Sequence, residues 1–416
     1  MANTQELGLS YRSAREYPES WTVRASHEII YDVVVSHDIL NIENPVLAMT
    51  GAVSAASRGS RRLVVIDSNV DKLFGTKVRQ YFQHHDVGVK YHVIEACEVV
   101  KNWDSVSSVV SAMAAADIDR RSEPIIGIGG GVLLDIVGFA ASIYRRSTPY
   151  IRIPTTLIGL IDAGIGIKTG VNFDQGKNKI GTYAAPVVSY IDRSFLGTLE
   201  RRHVANGLAE ILKMALIKSS ELADLLATCG RAMLDDSFSG TDPSLASAAD
   251  TVISMSIQLM LEELQPNLWE TNLERCVDFG HTFSPAIEMG ALPEILHGEA
   301  VNIDMIISSV ISFNRRLMDH QDLSKILTVM RSLELPTWNS ILEDPKLLSV
   351  ALADTQRHRG GQQRIPLPVG VGNHVFVNDV TEKEIAAAIA QLKTLSQAES
   401  GSLRGLLNSE CVVDRS

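Results

Sequence analysis

IIGIGGGVLLDIVGFAASIYRR, residues 125–146, reads as a buried strand running into a turn of three glycines, Gly129, Gly130 and Gly131, and then a helix carrying Asp135. Glycines at a strand-to-helix turn let the backbone approach a phosphate, and the helix N-terminus adds N–H donors and positive potential. The spacing GIGGGVLLD differs from the dinucleotide pattern GxGxxG, and a plain tight turn would use the same glycines. Outward from this stretch, YDVVV (31–35), RLVVID (62–67), VKYHVI (89–94) and YIRIP (150–154) are short β-rich runs separated by helical segments. That alternation predicts βαβ units on a parallel sheet, hence a Rossmann-like α/β domain over residues 1–199 with residues 1–27 as a loose arm. Beyond Glu200 the strand signals thin out, and ANGLAEILKMALIKSSELADLLATCG, ASAADTVISMSIQLMLEEL and EAVNIDMIISSVISFNRRLM read as helices, the first capped by Gly230. The expectation is an all-α domain over 200–397 and a flexible tail over 398–416.

The 416 residues are 45% hydrophobic and 21% charged, ordinary globular usage. Thirty-eight Lys and Arg against 49 Asp and Glu leave a net charge of −11, which argues against a nucleic-acid or anionic-membrane binder. A small anionic ligand held by a local basic cluster remains compatible with that charge. No run approaches the ~18 apolar residues of a membrane helix, and the N-terminus is polar, so a cytoplasmic location is expected. Four separated cysteines, with no CxxC pair, indicate neither a disulfide framework nor a thiolate metal site.

Three further constellations could carry chemistry. IRIPTTLIGLIDAGIGIKTGVNFDQGKNKIGTY (151–183) places Thr155, Thr156, Asp162, Lys168, Lys177 and Asn178 in a glycine-rich segment suited to phosphate or cofactor hydroxyls, or simply to a solvated loop. Glu210 and Lys213, three apart, share a helix face, while His281 and His297 follow in DFGHTFSPAIE and LHGEAV. One carboxylate and two imidazoles are a ligand set for catalytic zinc, although each histidine alone is as well explained as a structural residue. DSNV (67–70) and ACEVVKN (96–102) end strands where ribose contacts are made, and are also ordinary turn sequences.

Taken together, GGG-x3-D, IPTTLIGLID, KTG…GKN, GLAEILK, DFGHTF and LHGEAV resemble the sugar phosphate cyclase superfamily, whose best-known member is dehydroquinate synthase. The superfamily resemblance spans about residues 28–393, and within it KTGVNF, EELQPNLWE, LERCVDFGHTFSP and PLPVGVGNHVFVND are most similar to the 2-epi-5-epi-valiolone synthases. The resemblance implies a dehydroquinate synthase-like fold, a homodimer, tightly held NAD+, and one divalent ion, Zn2+ or Co2+, on Glu210, His281 and His297. It assigns NAD+ contacts to Asp67, Asn69, Glu98, Lys101, Gly129, Gly130, Gly131, Asp135, Thr155, Thr156, Asp162, Lys177 and Thr198. Asp162 and Asn178 fall near substrate, Arg145 or Arg146 near a phosphate, and Arg357 at a family lysine position. Lys168 and Lys213 are the expected catalytic pair, with Asp278 and Glu270 for hydroxyl contacts or proton handling.

The departures matter. Dehydroquinate synthases have histidine at Pro285, asparagine at Asp278 and a carboxylate-pairing arginine at Glu274. Residues 258–278 hold Glu262, Glu263, Glu270, Glu274 and Asp278 against one base, Arg275. Burying a ligand carboxylate there without a cation would cost several kcal/mol. A neutral polyol head, as in sedoheptulose 7-phosphate, fits better. The implied reaction is transient oxidation of a ring alcohol, phosphate elimination, reduction and intramolecular aldol closure, with 2-epi-valiolone or desmethyl-4-deoxygadusol as alternative products. A metal-dependent polyol dehydrogenase and a non-catalytic NAD-binding protein are the rivals from other classes.

Overall fold

A computed structural model of the chain describes residues 10–14, 17–51, 61–174 and 176–397. Contacts divide the chain into Met1–Tyr31 and Asp32 onward. In the first unit β1 (Ser10–Ala14) pairs antiparallel with β2 (Tyr17–Thr22), Ser10 opposite Thr22. The expected loose arm thus contains a strand pair, while the expected tail over 398–416 lies outside the described residues.

The second unit holds a six-stranded sheet in the order β3 (Asp32–Val35), β10 (Val188–Ile191), β7 (Tyr150–Pro154), β6 (Ile125–Gly129), β4 (Arg61–Asp67), β5 (Gly88–Ile94). Every pairing in it is parallel. All five β-rich runs read from sequence are strands here. Their residues Val64, Ile66, Ile126, Ile128, Ile151 and Ile153 are buried, as a sheet covered on both faces requires. Covering and linking helices are α1 (Val46–Met49), α2 (Ser68–His84), α3 (Trp103–Ala116) and α4 (Gly131–Ile143). From β4 the chain steps outward to β5 and then back across to β6, so the ends of β4 and β6 flank a topological switch point. Ligand crevices form at such a point in open α/β sheets.

KTGVNFDQGKNKIGTY, read as a loop, is instead an antiparallel pair, β8 (Lys168–Phe173) and β9 (Gly176–Tyr183). Glycines weaken the strand signal there, yet they are required. Gly170 and Gly181 face each other, and a Cβ on Gly181 would lie 2.1 Å from the Thr169 carbonyl oxygen.

From Arg201 the chain is mainly helical: α5 (Arg201–Lys218), α6 (Ser220–Asp235), α7 (Pro243–Leu264), α8 (Ser284–Gly290), α9 (His297–Asn314), α10 (His320–Ser332), α11 (Pro345–His358) and α12 (Glu382–Gln397). This half also carries a short hairpin, β11 (Ile365–Pro368) with β12 (His374–Val377), in PLPVGVGNHVFVND. The first helical stretch is two helices, broken at Ser219, whose side chain caps Leu222 N–H. Gly230 is therefore inside α6 rather than a cap, and a Cβ there would meet Leu333 at 2.8 Å. Against the expectation from sequence, one helix, Pro243–Asn267, is long and apolar enough to cross a membrane by length and composition. It buries one face, with Val252, Ile253, Ile257 and Met260 in the helical core.

Candidate active site

At the carboxyl ends of β4 and β6, Asp67 and the glycine turn lie side by side. A Cβ on Gly129 would stand 3.3 Å from the Asp67 Cβ and 3.0 Å from that of Leu133, so close approach, not unusual backbone, demands glycine. Gly130 caps α4 and Gly131 begins it, with backbone donors facing outward at the helix start. Asp67 accepts N–H bonds from Asn69 (2.8 Å) and Ala96 (3.1 Å), tying α2 to the segment after β5. Glu98 accepts from the Asn172 amide at 2.8 Å. Lys101 is buried between Asp135 (2.6 Å) and the Asn178 side-chain oxygen (2.7 Å). Burial is the largest influence on its pKa and acts downward, but Asp135, Glu98 and Glu288 together outweigh it and the net shift is upward. Thr155 is buried with its N–H on the Gly129 carbonyl, and Thr156 Oγ1 accepts from Gly159 N–H. Thr198 is exposed and bonds only locally, to the Phe195 carbonyl.

Across the cleft, α5 presents Glu210, the first residue of α9 is His297, and the loop before α8 presents His281. Their ligand atoms lie within 4.8 Å of one another, the one such metal-holding trio among the described residues. The Glu210 Oε1 is 3.7 Å from His281 Nε2 and 3.5 Å from His297 Nε2. Both rings are oriented from behind: His281 Nδ1 lies 3.1 Å from the Phe279 carbonyl, and His297 Nδ1 lies 2.8 Å from Glu288 Oε2. Each Nδ1 is thereby engaged and each Nε2 faces Glu210, the second layer that metal-binding histidines require. Glu210 is fully buried, and neither carboxylate oxygen makes a geometrically sound hydrogen bond, although Lys213 Nζ stands 2.5 Å from Oε2. A buried carboxylate so under-satisfied, facing two imidazoles, fits a divalent cation.

The electrostatics differ between the two rings: without a bound cation His281 is held neutral, whereas His297 keeps a proton that a metal ion would displace. Burial and then Lys213 push the His281 pKa down to about 3. For His297, burial and Lys177 act downward, but Glu288 and Glu210 prevail and raise it to about 9. Asp162, on a π-turn at Gly159–Ala163, is raised by burial first and the Glu210 charge second, which places it beside this cluster. Lys177 bonds Glu288 at 2.5 Å and approaches His297 Nδ1 at 3.0 Å, so it belongs to the metal side more than its expected cofactor role implied.

A third group lines the cleft. In the β8–β9 register Lys168 is opposite Tyr183, and both reach Glu270, at 2.8 and 3.3 Å. Glu270, in left-handed backbone (φ 54°), also contacts Arg275, which pairs with buried Asp278. Arg359, buried, is 3.5 Å from Asp278. Of the five acids counted in this stretch, Glu262 and Glu263 pair with Lys218 and Glu274 is exposed. The local surplus of acid is therefore smaller than the sequence suggested. Arg357 is on the surface with Asp354; the arginine by the site is Arg359, two positions on. Arg145 and Arg146 are exposed in left-handed backbone after α4, and neither makes a described contact with another candidate. Glu288 and Arg359 were missed from sequence; a lone acid in the apolar turn AIEMG was the available signal for the first.

Comparison with known proteins decides the family. The pattern described as 3-dehydroquinate synthase N-terminal matches residues 91–206, and that described as 3-dehydroquinate synthase C-terminal matches 207–357. The chain belongs to the dehydroquinate synthase family. Within it, the chain is 50% identical over 391 residues to a 2-epi-5-epi-valiolone synthase of Streptomyces albus, covering 94% of this chain and 95% of that one. It is 52% identical over 397 residues to a 2-epi-5-epi-valiolone synthase of Streptomyces hygroscopicus subsp. jinggangensis, covering 94% and 95%. A solved structure of that enzyme from the latter organism, with NAD+ and Zn2+ bound, superposes with a TM-score of 0.85 at 51% identity, covering 90% of this chain and all of the other.

Proposed function

We propose that this family member is a 2-epi-5-epi-valiolone synthase, converting sedoheptulose 7-phosphate to the cyclitol and inorganic phosphate, with residues 1–199 as the NAD+ half and 200–397 as the metal and substrate half. The observation that carries the reading is the convergence of Glu210, His281 and His297 on one unsatisfied point beside Lys213 and Asp162, with Lys168 opposite. Identity of about half to valiolone synthases across nearly the whole chain supports the product. When bound, NAD+ supplies a transient oxidant and the divalent cation a Lewis acid for the alcohol and the ketone it becomes.

The chain's own residues do the rest. Glu288 and Lys177 orient His297, and Lys213, together with His297 and His281, keeps Glu210 ionised against the opposing effect of burial. Lys168, now held by Glu270, offers an ammonium to a substrate oxyanion entering the cleft. Glu270 and Asp278 accept hydroxyl protons from the polyol head, while Arg275 and Arg359 hold them in place. Walls that fix both ends of the opened chain make aldol closure effectively unimolecular. The lyase class, the elimination of phosphate, a homodimer and a cytoplasmic setting are parts of the same proposal.

The test is purified protein with sedoheptulose 7-phosphate, catalytic NAD+ and Zn2+ or Co2+, followed by phosphate release and product NMR. Phosphate release without accumulating NADH, giving 2-epi-5-epi-valiolone, is the expected result. A different cyclitol would move the product and keep the class, whereas stoichiometric NADH without phosphate would make the protein a dehydrogenase.

A further inference from the structure

His281 sits in a segment with little regular structure: a short turn at Cys276–Asp278, Gly280 at φ 74°, and then the start of α8 at Ser284. Such a segment is only as fixed as the partners of its backbone N–H groups, and α8 begins without a side-chain cap from its own N-cap residue, Phe283. The missing acceptor comes from another helix. Asp304 of α9 is completely buried, and its Oδ2 accepts the N–H groups of Phe283 (2.5 Å) and Ser284 (2.9 Å). Ser308, one turn further along, approaches Oδ1 at 3.4 Å. On the other side of His281, Gly280 lies so close to α9 that a Cβ there would be 2.9 Å from both Val301 and Met305.

We infer that Asp304 is a positioning residue for the metal site, fixing the loop of His281 to the helix that begins with His297. It lies seven residues after His297, about 10 Å along α9, so one rigid element sets the spacing of both rings, whose centroids are 5.5 Å apart. Burial drives the Asp304 pKa up to about 6 even against these N–H bonds, and Arg359 adds only a distant charge. Packing alone would favour an apolar side chain at such a position, so the carboxylate is there for the bonds it accepts.

The inference rests on Glu210, His281 and His297 holding a divalent ion, and its test keeps the two apart. Asp304→Asn and Asp304→Ala would be compared with wild type and His281→Ala for Co2+ affinity by chelator competition, for the visible Co2+ absorption, and for melting temperature. Loss of an outer partner weakens metal binding by roughly 10- to 100-fold. Asp304→Ala is expected in that range with a shifted Co2+ band; Asp304→Asn, which keeps an acceptor oxygen, falls between it and wild type. If both variants melt lower yet bind Co2+ with wild-type affinity and spectrum, Asp304 only stabilises the fold and the inference is overturned. Should Asp304→Ala fail to fold, Asp304→Asn decides alone by the same two readouts. Unchanged Co2+ binding in His281→Ala would instead overturn the metal-site reading, and the inference with it.

Discussion

Two clusters in one cleft handle buried charge in opposite ways. At Glu210, His281 and His297 the protein brings a fully buried carboxylate to two imidazoles and leaves its oxygens without sound hydrogen bonds. At Glu270, Arg275, Asp278 and Arg359 it closes the account internally, each carboxylate contacting at least one guanidinium. The first arrangement is incomplete without a cation; the second offers neutralised carboxylates with lone pairs to spare, suited to hydroxyls. The contrast teaches where a ligand must bring charge and where it must not.

The contrast breaks most visibly at Glu210. In Glu210→Ala the two imidazoles lose the anionic ligand, so metal content and turnover should both collapse. A Lewis acid stabilises the transition state by several kcal/mol, so turnover should fall on the order of 10³-fold. Metal analysis by mass spectrometry alongside phosphate release checks this; a metal-replete, active variant would place the ion elsewhere.

Lys213 offers the next largest effect. It is buried against Glu210, and breaking a buried pair by removing one partner typically costs about 3–5 kcal/mol. Lys213→Met should therefore melt well below wild type without metal. Added Zn2+ should restore more stability to the variant than to wild type, because the ion then supplies the positive charge beside Glu210 that Lys213 no longer does. Equal Zn2+ stabilisation in both, measured by calorimetry, would show that the pair is not incomplete in the sense argued above.

How much of this was legible follows the same divide. The five β-rich runs carry strong local signals, β-branched residues ending in glycine or acid, whereas the metal trio is legible only through the family resemblance, because its three residues are far apart in sequence. The β8–β9 pair is hidden because Gly170, Gly176 and Gly181 suppress the strand signal, although the pairing demands glycine at 170 and 181. DTQRHRGG offers three cationic or ionisable side chains within three positions, and only the end of α11 decides that Arg359 rather than Arg357 turns inward. Glu288 and Asp304 act through other residues, from helices separated in sequence from what they orient, and no spacing rule reports that. The compensated cluster was half legible: its acids were counted, but their partners are fixed only in three dimensions.

A smaller effect sharpens the second half of the comparison. Asp278→Asn removes the charge that occupies Arg275 and Arg359. Those guanidiniums should then accept an anionic head, so a heptulosonate phosphate with a carboxylate in place of the hydroxymethyl group should inhibit the variant about tenfold more tightly, about 1.4 kcal/mol. Inhibition constants in both proteins settle it; no gain in the variant would mean the arginines are not what keeps carboxylates out.

The smallest expected effect lies outside the cleft, where water compensates charge instead of an ion or a buried partner. Glu384 bonds Arg315 at 2.6 Å and the backbone N–H of Thr381 at 2.9 Å, and the Arg315 bond, opposed by partial burial, lowers its pKa to about 2. A folded pKa below the unfolded value means stability that is present above about pH 4.5 and lost as pH falls toward 2. Taken at face value the drop would be worth roughly 3 kcal/mol, but the pair is largely solvent-screened, and such pairs measure about 0.2–1 kcal/mol. Glu384→Gln should therefore melt only slightly below wild type at pH 7, with the gap narrowing as pH falls from about 4.5 toward 2 and shrinking in 1 M NaCl. Salt should leave the Lys213→Met deficit largely intact, since a pair buried beneath the cleft floor is screened far less. If salt erased both deficits equally, the distinction between charge compensated by protein and charge compensated by water would not hold in this fold.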